Sequence, residues 1–348
     1  MSLSAKSSFL LSLLYARAAG RRIPLTVIFN VTDRCNLKCA YCYAGYHRRR
    51  KPELTTGQIR RAIDELAEMG CRRVSISGGE PLLRKDIGEI IGHVRSLGLM
   101  CTVNSNGALV PRRIDDLRGI DALALSLDGD REAHDAYRGE GSFDRVIEAI
   151  EAARAAGIRV HTNTVLTKKN LHTVKFVLDL ADEYEIMAEF NLCIAYLFDR
   201  DKAADYKSDD EKIRDVLREI IRYKDEGRRI LFSRQAYELS LKWPSYDMES
   251  VFGEEPDFPH ARCAAGRYFC FFDTDGTLYA CPHLMGLQKG RSVVADGLAR
   301  AFDGLDDHDC RACYQVYHNE FNLLFGLDWR VLANQIRNNL FSFHRERE

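Results

Sequence analysis

The sequence of 348 residues has almost no net charge, with 50 Lys and Arg against 51 Asp and Glu for a formal balance of -1. That absence removes any bulk attraction to nucleic acid. Disorder is excluded too, because 46% of the residues are apolar. There is no internal repeat and no low-complexity tract, which excludes a solenoid. Long hydrophobic runs are also missing. The apolar stretch Phe9-Leu-Leu-Ser-Leu-Leu-Tyr-Ala-Arg-Ala-Ala-Gly20 is too short to span a bilayer, and its arginines Arg17, Arg21 and Arg22 follow the run, whereas a secretory signal carries its charge in front. Cysteine, by contrast, is plentiful. The chain has 11, an odd number that a full set of disulfides cannot use. Cys35, Cys39 and Cys42 cluster near the start, and Cys263, Cys270, Cys281, Cys310 and Cys313 near the end, which points to metal. Cys71, Cys101 and Cys193 stand singly in apolar surroundings and read as small hydrophobes. Reduced thiols favour the cytoplasm.

From Pro24 to about Tyr196, short β-branched or apolar runs alternate with helical patterns. Strands are predicted over Leu25-Thr32, Arg73-Ser77, Leu99-Asn104, Ala122-Leu127, Arg159-Leu166 and Ala188-Ile194, and helices over Thr55-Met69, Lys85-Leu97, Phe143-Ala156 and Leu171-Tyr184. Six such units argue for an α/β fold with a parallel sheet, a partial (β/α)6 TIM-like barrel. A hairpin, Tyr268-Phe272 and Thr277-Ala280 around Asp273-Thr-Asp-Gly276, lies among the later cysteines and is predicted to belong to a small α+β domain. The expected order is an N-terminal amphipathic helix (1-22), the barrel core (23-200), a helical connector (201-261), the second cysteine domain (262-316) and a C-terminal amphipathic helix (317-348).

Thr32-Asp-Arg-Cys35-Asn-Leu-Lys-Cys39-Ala-Tyr-Cys42 places a CxxxCxxC motif on the loop leaving the first strand. Three thiolates can ligate three irons of a cubane and leave the fourth iron open. Zinc is the structural alternative, but it takes four ligands and only His47 lies nearby as a fourth. The triplet, the aromatic Tyr41 before its third cysteine, and the motifs that follow resemble the radical S-adenosylmethionine (radical SAM) superfamily. That resemblance implies a catalytic [4Fe-4S] cluster on Cys35, Cys39 and Cys42, with S-adenosylmethionine on the open iron. Reductive cleavage of the sulfonium would then give a 5′-deoxyadenosyl radical that abstracts a hydrogen from a substrate.

At the end of the second strand, Gly78-Gly79-Glu80-Pro81 resembles the family's GGEP motif. Paired glycines admit close backbone approach, and Glu80 can accept a hydrogen bond from a cationic amine, by resemblance the methionine amino group. The resemblance further implies ribose and carboxylate contacts from Asn104 and Ser126, a carboxylate partner in Arg138, and an adenine contact from the backbone at Val165. Each of these could equally be a loop hydrogen bond.

The second set resembles the superfamily's auxiliary-cluster domain in its short form, called twitch, in place of the longer SPASM form. The resemblance implies a second [4Fe-4S] cluster, fully ligated by Cys263, Cys281, Cys310 and Cys313, that serves electron transfer and leaves Cys270 spare. A structural zinc on the same four thiols is the alternative. At the termini, Leu10, Leu11, Leu14, Tyr15 and Ala18 share one helical face, and Phe325, Trp329, Leu332, Ile336 and Leu340 another. Core or interdomain packing is the expectation for both, with peripheral membrane contact as the alternative. The run His47-Arg-Arg-Arg-Lys51 is expected to be a solvated loop.

The expected function is a cytoplasmic radical SAM enzyme acting on a small biosynthetic molecule of lipid, isoprenoid or sugar type, with flavodoxin or ferredoxin as electron donor. A maturase of ribosomal peptides is the first alternative. A non-catalytic iron-sulfur electron-transfer protein is the second, and Gly78-Gly79-Glu80-Pro81 argues against it.

Overall fold

The structure is a computed structural model and describes residues 3-42, 44-46, 49, 51-194 and 206-340. Of the basic run, only Arg49 and Lys51 are described, and the expected boundary at residue 200 and the tail 341-348 lie outside the described residues. In chain order the first elements are α1 (Leu3–Ala18), β1 (Thr26–Asn30), α2 (Thr56–Glu68), β2 (Arg73–Ser77), α3 (Ile87–Ser96), β3 (Met100–Ser105) and β4 (Ala122–Ser126). There follow α4 (Arg131–Arg138), α5 (Ser142–Ala155), β5 (Val160–Leu166), α6 (Val174–Glu183), β6 (Met187–Leu192), α7 (Asp210–Asp225), α8 (Arg234–Leu241) and β7 (Ser250–Phe252). The last are β8 (Phe269–Phe272), β9 (Thr277–Tyr279), β10 (Arg291–Ser292), α9 (Val293–Asp296), α10 (Leu298–Asp303), β11 (Cys310–Cys313), α11 (Val316–Phe325) and α12 (Trp329–Leu340). Contacts divide the chain into two units, each assembled from three separate stretches: 1-126, 144-160 and 265-308 in one, 127-143, 161-264 and 309-348 in the other. The sequence reading had laid its segments end to end.

In the first unit, β1 to β4 are parallel and hydrogen-bonded in chain order. Val27, Val74, Ile76, Val103, Leu123 and Leu125 on these strands are buried, as two-sided strands require. The covering helices follow the predicted periodicity. In α2, Ile59, Ala62, Ile63 and Leu66 face inward, and a capping box between Thr55 and Gln58 starts the helix. In α3 the inward residues are Ile87, Ile90, Ile91 and Val94.

The hairpin departs from its expected place in a separate cysteine domain. Strand β8 lies parallel to β1, with Phe29 opposite Phe272, and β9 and β10 continue the same sheet antiparallel. The reason is burial: all four residues of β8 are inaccessible, and the rings of Phe29 and Phe272 stack with centroids 4.3 Å apart. A strand apolar on both faces needs cover on both, which an edge of the parallel sheet supplies. The turn closes through Gly276, at φ 80°, whose N–H donates to the Asp273 carbonyl at 3.0 Å.

In the second unit, β5 and β6 are parallel in register from His161–Met187 to Leu166–Leu192. Helices α7, α8 and α11 bury a polar seam in which Glu320 accepts from the Ser233 N–H at 2.8 Å and from its hydroxyl. Strands β7 and β11 form a separate antiparallel pair.

Both terminal faces correct the packing expectation. On α1 the buried residues are Leu13 and Ala16, while Leu10, Leu11, Leu14 and Tyr15 are exposed, Leu11 at 65%. Arg22 does not stand free at the helix end, since it donates to the carbonyls of Gly266 and Phe302. The final helical pattern is two helices, broken at Leu327, which has φ 62°. Phe325 is buried at the end of α11, whereas Trp329 and Ile336 of α12 are exposed. The buried polar side chains on α12 are Asn334 and Asn338, both donating to the Leu231 carbonyl. No helix among the described residues is long and apolar enough to cross a membrane.

Removing the stacked ring tests the hairpin's place in the sheet. Phe272→Ala is expected to cost about 3–5 kcal/mol in urea unfolding, the range for a fully buried Phe. A cost near zero would detach β8 from the core.

Candidate active site

The cysteine loop leaves β1 and stays bound to the end of β2. Val31 donates to the Ser77 carbonyl at 3.0 Å, Gly79 to the Thr32 carbonyl at 2.8 Å, and Glu80 to the Arg34 carbonyl at 2.8 Å. These bonds carry the β1–β2 ladder past the strands, and they run directly up to Cys35. Glycine is required for this seam. A Cβ on Gly78, at φ 137°, would stand 2.4 Å from the Thr32 carbonyl oxygen, and one on Gly79 would stand 2.2 Å from that of Arg34. Close approach was expected of this pair toward a ligand. What it approaches is the cysteine loop itself.

Side chains brace the same seam. Glu53 accepts from the Thr32 hydroxyl at 2.5 Å and from the Asp33 N–H at 3.1 Å. Arg84 donates to the carbonyls of Val31 and Leu54 and pairs with Asp86, whose carboxyl it holds down near 2. Arg84 was not singled out from the sequence, and its position four residues after Glu80 is the only signal there.

The three cysteines are half-buried on this loop. Burial, opposed by the Leu37 N–H and reinforced by Cys39, Glu80 and Cys42, pushes the Cys35 thiol up to about 11. The three thiols and the Glu80 carboxylate therefore lie within electrostatic reach of one another. Such a site opposes ionisation unless a cation joins it, and a coordinating metal deprotonates thiols outright. The donor set fits an iron-sulfur cluster. Tyr41 sits half-buried in the turn in which the Cys42 N–H donates to the Cys39 carbonyl at 3.2 Å.

Glu80 is fully buried at the N-cap of a short 3-10 turn that begins at Pro81. Its Oε1 accepts from the Leu82 N–H at 3.1 Å and the Ser105 hydroxyl at 2.9 Å, and its Oε2 from the Asn106 N–H at 2.8 Å. A carboxylate offers about four acceptor positions, so Oε2 retains one. Burial raises the carboxyl to about 7 against the lowering effect of these donors. Asn106 was missed by sequence reasoning although its neighbour Asn104 was chosen. Its side-chain amide donates to Asn36 Oδ1 at 2.8 Å and stands 4.0 Å from the Cys35 sulfur, so one residue joins Glu80 to the cysteine loop.

The other predicted residues are placed as follows. Asn104 donates to the Ser75 hydroxyl at 3.0 Å and the Ile76 carbonyl at 3.2 Å, which fixes it across β2 and β3. Ser126 is half-exposed at the end of β4. In the second unit, Arg138 turns its Nε to the buried carboxylate of Asp128 at 2.5 Å. The same carboxylate accepts the Val165 N–H at 3.0 Å, and the Val165 carbonyl accepts from Asn170. The carboxylate that meets Arg138 is thus the protein's own.

The second metal site needs correction. Among the described residues, the His, Cys, Asp and Glu side chains that gather for a metal are Cys281, His283 and His318, all buried, with ligand atoms within 4.8 Å of one another. This set has one thiol and two imidazoles, in place of the four-cysteine [4Fe-4S] site expected from Cys263, Cys281, Cys310 and Cys313. Cys281 follows β9, which belongs to the β1 sheet, while Cys310 and Cys313 lie on β11, paired with β7 in a different sheet. Cys263 joins the latter pair, its N–H donating to the Arg311 carbonyl at 3.0 Å. Cys270 is buried on β8 opposite Val27.

The Radical SAM superfamily profile matches residues 29–181, the stretch that carries the cysteine loop, the glycine pair and β5. Residues 29–181 thus match a radical SAM domain. It is 35% identical over 165 residues to the Fe-coproporphyrin III synthase of Methanosarcina barkeri, which covers 46% of this chain and 41% of that protein. It is 29% identical over 283 residues to the AdoMet-dependent heme synthase of the same organism, covering 75% and 77%. With the mycofactocin maturase MftC of Mycobacterium tuberculosis the figures are 29% over 269 residues, 76% and 66%. The match thus spans less than half the length of the coproporphyrin synthase. Among solved structures, anSMEcpe with bound AdoMet and Kp18Cys peptide aligns with a TM-score of 0.66 at 15% identity, over 90% of this chain and 99% of that one. Streptococcus suis SuiB bound to S-adenosylmethionine aligns at 0.65 and 19%, over 84% and 68%. The fold these structures share with this chain is an α/β partial barrel with a C-terminal segment of helices and strands.

Two measurements test the seam. Gly79→Ala is expected to cost about 1–3 kcal/mol in urea unfolding, as overpacking against rigid backbone does. Gly92→Ala, in α3 with nothing within 4 Å of the new carbon, is expected to gain about 0.5–1 kcal/mol. Equal effects would contradict the steric account. For Glu80, the folded value near 7 lies above the ordinary 4.5, so its contribution is full below 4.5 and is lost as pH rises through 7. In cluster-free protein, Glu80→Gln is expected to remove that loss of stability between about pH 5 and about pH 7.5. Parallel pH profiles for variant and wild type would contradict it.

Proposed function

We propose that this chain is a radical SAM enzyme that generates a 5′-deoxyadenosyl radical and uses it to modify a peptide. The observation that carries the reading is the bonded seam that brings the Cys35, Cys39 and Cys42 loop against Glu80. In this reading the three cysteines hold a [4Fe-4S] cluster, and the free acceptor position on Glu80 Oε2 takes the amino group of S-adenosylmethionine. With both bound, the cluster would supply the electron for reductive cleavage of the sulfonium C–S bond, which would give methionine and a radical able to take a hydrogen atom from the substrate. The protein's own part is positional. Gly78 and Gly79 let the loop close, Asn106 holds it to Glu80, and Asn104, Ser126 and Tyr41 would contact the bound S-adenosylmethionine. Asp128 orients Arg138 and the backbone at Val165. An electron donor such as flavodoxin or ferredoxin would supply the reducing equivalent.

A peptide replaces the lipid, isoprenoid or sugar expected from the sequence, and the relation to the maturase MftC over 76% of this chain supports it. A heme precursor is the second reading, supported by the relation to the heme synthase over 75%. Anaerobic reconstitution with iron and sulfide, followed by S-adenosylmethionine and dithionite, is expected to yield 5′-deoxyadenosine, and Cys35→Ala is expected to bring it to background. Undiminished product from Cys35→Ala would overturn the cluster assignment. Loss of mass from added iron-coproporphyrin III during turnover would replace the peptide with the heme-precursor reading.

A further inference from the structure

A second set of contacts, separate from the Gly79 seam, holds the cysteine loop from its far side. It is built on Asp273, the first residue of the β8–β9 turn, which is fully buried. Arg49, itself nearly inaccessible, donates to Asp273 Oδ2 at 2.5 Å and stands 3.4 Å from Asp33 Oδ1. Lys51 Nζ reaches Asp273 at 2.8 Å and Asp275 at 2.9 Å. The Thr274 hydroxyl donates to Asp33 at 3.1 Å, and Asn30, at the end of β1, donates to Tyr46 at 2.5 Å. Asp33 precedes the first cysteine by two residues, and Arg49 and Lys51 follow the last by seven and nine. Both stems of the cysteine excursion therefore meet at one hairpin turn.

Burying this many charges is costly. Two carboxylates and a guanidinium out of water give little net stability over apolar packing, though loss of one partner leaves an uncompensated charge. What such a network supplies is a fixed geometry, because the planar guanidinium donates to carboxylates along only a few directions. A loop of this length cannot hold three thiols in fixed relation by itself, and ordering it costs backbone entropy at every residue. The buried network spreads that ordering over β1, β8 and the hairpin.

We propose that Asp273, acting through Arg49, is a positioning residue for the cysteine loop, so that the β8–β9 hairpin sets the geometry of the catalytic cluster. The functional meaning rests on the reading of Cys35, Cys39 and Cys42 as cluster ligands, whereas the tie itself can be measured without a cluster.

Hydrogen exchange by mass spectrometry on the full-length protein, as purified and after reconstitution, tests the tie. Asp273→Asn is expected to speed exchange in Thr32–Cys42 by a factor on the order of ten to one hundred, the scale of a lost charge-assisted hydrogen bond, while β2 and β3 keep wild-type rates. Arg49→Met is expected to do the same, and Arg49→Lys, which keeps a buried cation, to act more weakly. Asp275→Asn, which touches only Lys51 of the two cations, is expected to leave the loop at its wild-type rate. In the reduced, reconstituted protein, Asp273→Asn is expected to alter the electron paramagnetic resonance change that S-adenosylmethionine induces. Unchanged exchange in Thr32–Cys42, or equal acceleration across β2 and β3, would overturn the proposal, the second by making Asp273 a residue of the fold alone. An opened loop with a wild-type resonance response would overturn the positioning role. If wild-type protein makes no 5′-deoxyadenosine, the proposed function fails while the exchange result still decides the tie.

Discussion

There is no room for a carbon atom between Gly79 and the carbonyl of Arg34, and the rest of the site depends on that fact. With a Cβ only 2.2 Å from that oxygen, any other residue would push the loop away from β2. With glycine, two backbone hydrogen bonds extend the sheet ladder beyond its strands and bring Cys35 beside Glu80. The seam thus converts a steric permission into an alignment. Once the loop is set, Glu80 has its donors from Leu82, Ser105 and Asn106 in place, and Asn106 returns to the loop through Asn36.

Burial makes this arrangement poised. A carboxyl held at about 7 and a thiol held at about 11 are both groups whose charged forms are only partly compensated inside the protein. Each would gain from a cationic partner, an amine for the first and a metal for the second. The apolar sheet below, closed on one side by the stacked rings of Phe29 and Phe272, supplies the rigid base that keeps those groups out of water. The loop stems are carried by the same base, since Asn30 ends β1 and Asp273 follows the last residue of β8.

Much of this was legible in the sequence, for reasons that differ by element. The strands from β1 to β6 carry β-branched or other apolar residues bounded by turns, and β2 was found at its observed bounds because Val74 and Ile76 alternate with polar residues between Arg73 and Ser77. The CxxxCxxC loop and the glycine pair were visible as motifs. Strand β8 was assigned as a strand and paired with β9 as observed, but its parallel pairing with β1 was not foreseen, because Phe269-Cys-Phe-Phe272 is apolar throughout and period alone cannot say which sheet will cover it. Arg49 looked like one charge of a solvated run, and its partner Asp273 lies more than two hundred residues away, a pairing that no local pattern encodes. The faces of α1 and α12 were misread for a related cause. Apolar spacing identifies a stripe, but Leu13 and Ala16 show that the narrower face can be the one that packs. The second cysteine set was counted by thiols, and the two imidazoles beside Cys281 come from a 3-10 turn and from α11, positions that thiol spacing does not mark.

The central claim is that the loop of Cys35, Cys39 and Cys42 carries a cluster with an iron open to S-adenosylmethionine at Glu80. Electron paramagnetic resonance of the reduced, reconstituted protein, recorded with and without S-adenosylmethionine, tests it most directly. The account predicts a signal whose g-values shift on addition of S-adenosylmethionine and that is lost in Cys35→Ala. A reduced-cluster signal unaffected by S-adenosylmethionine, or one that persists in Cys35→Ala, would contradict it.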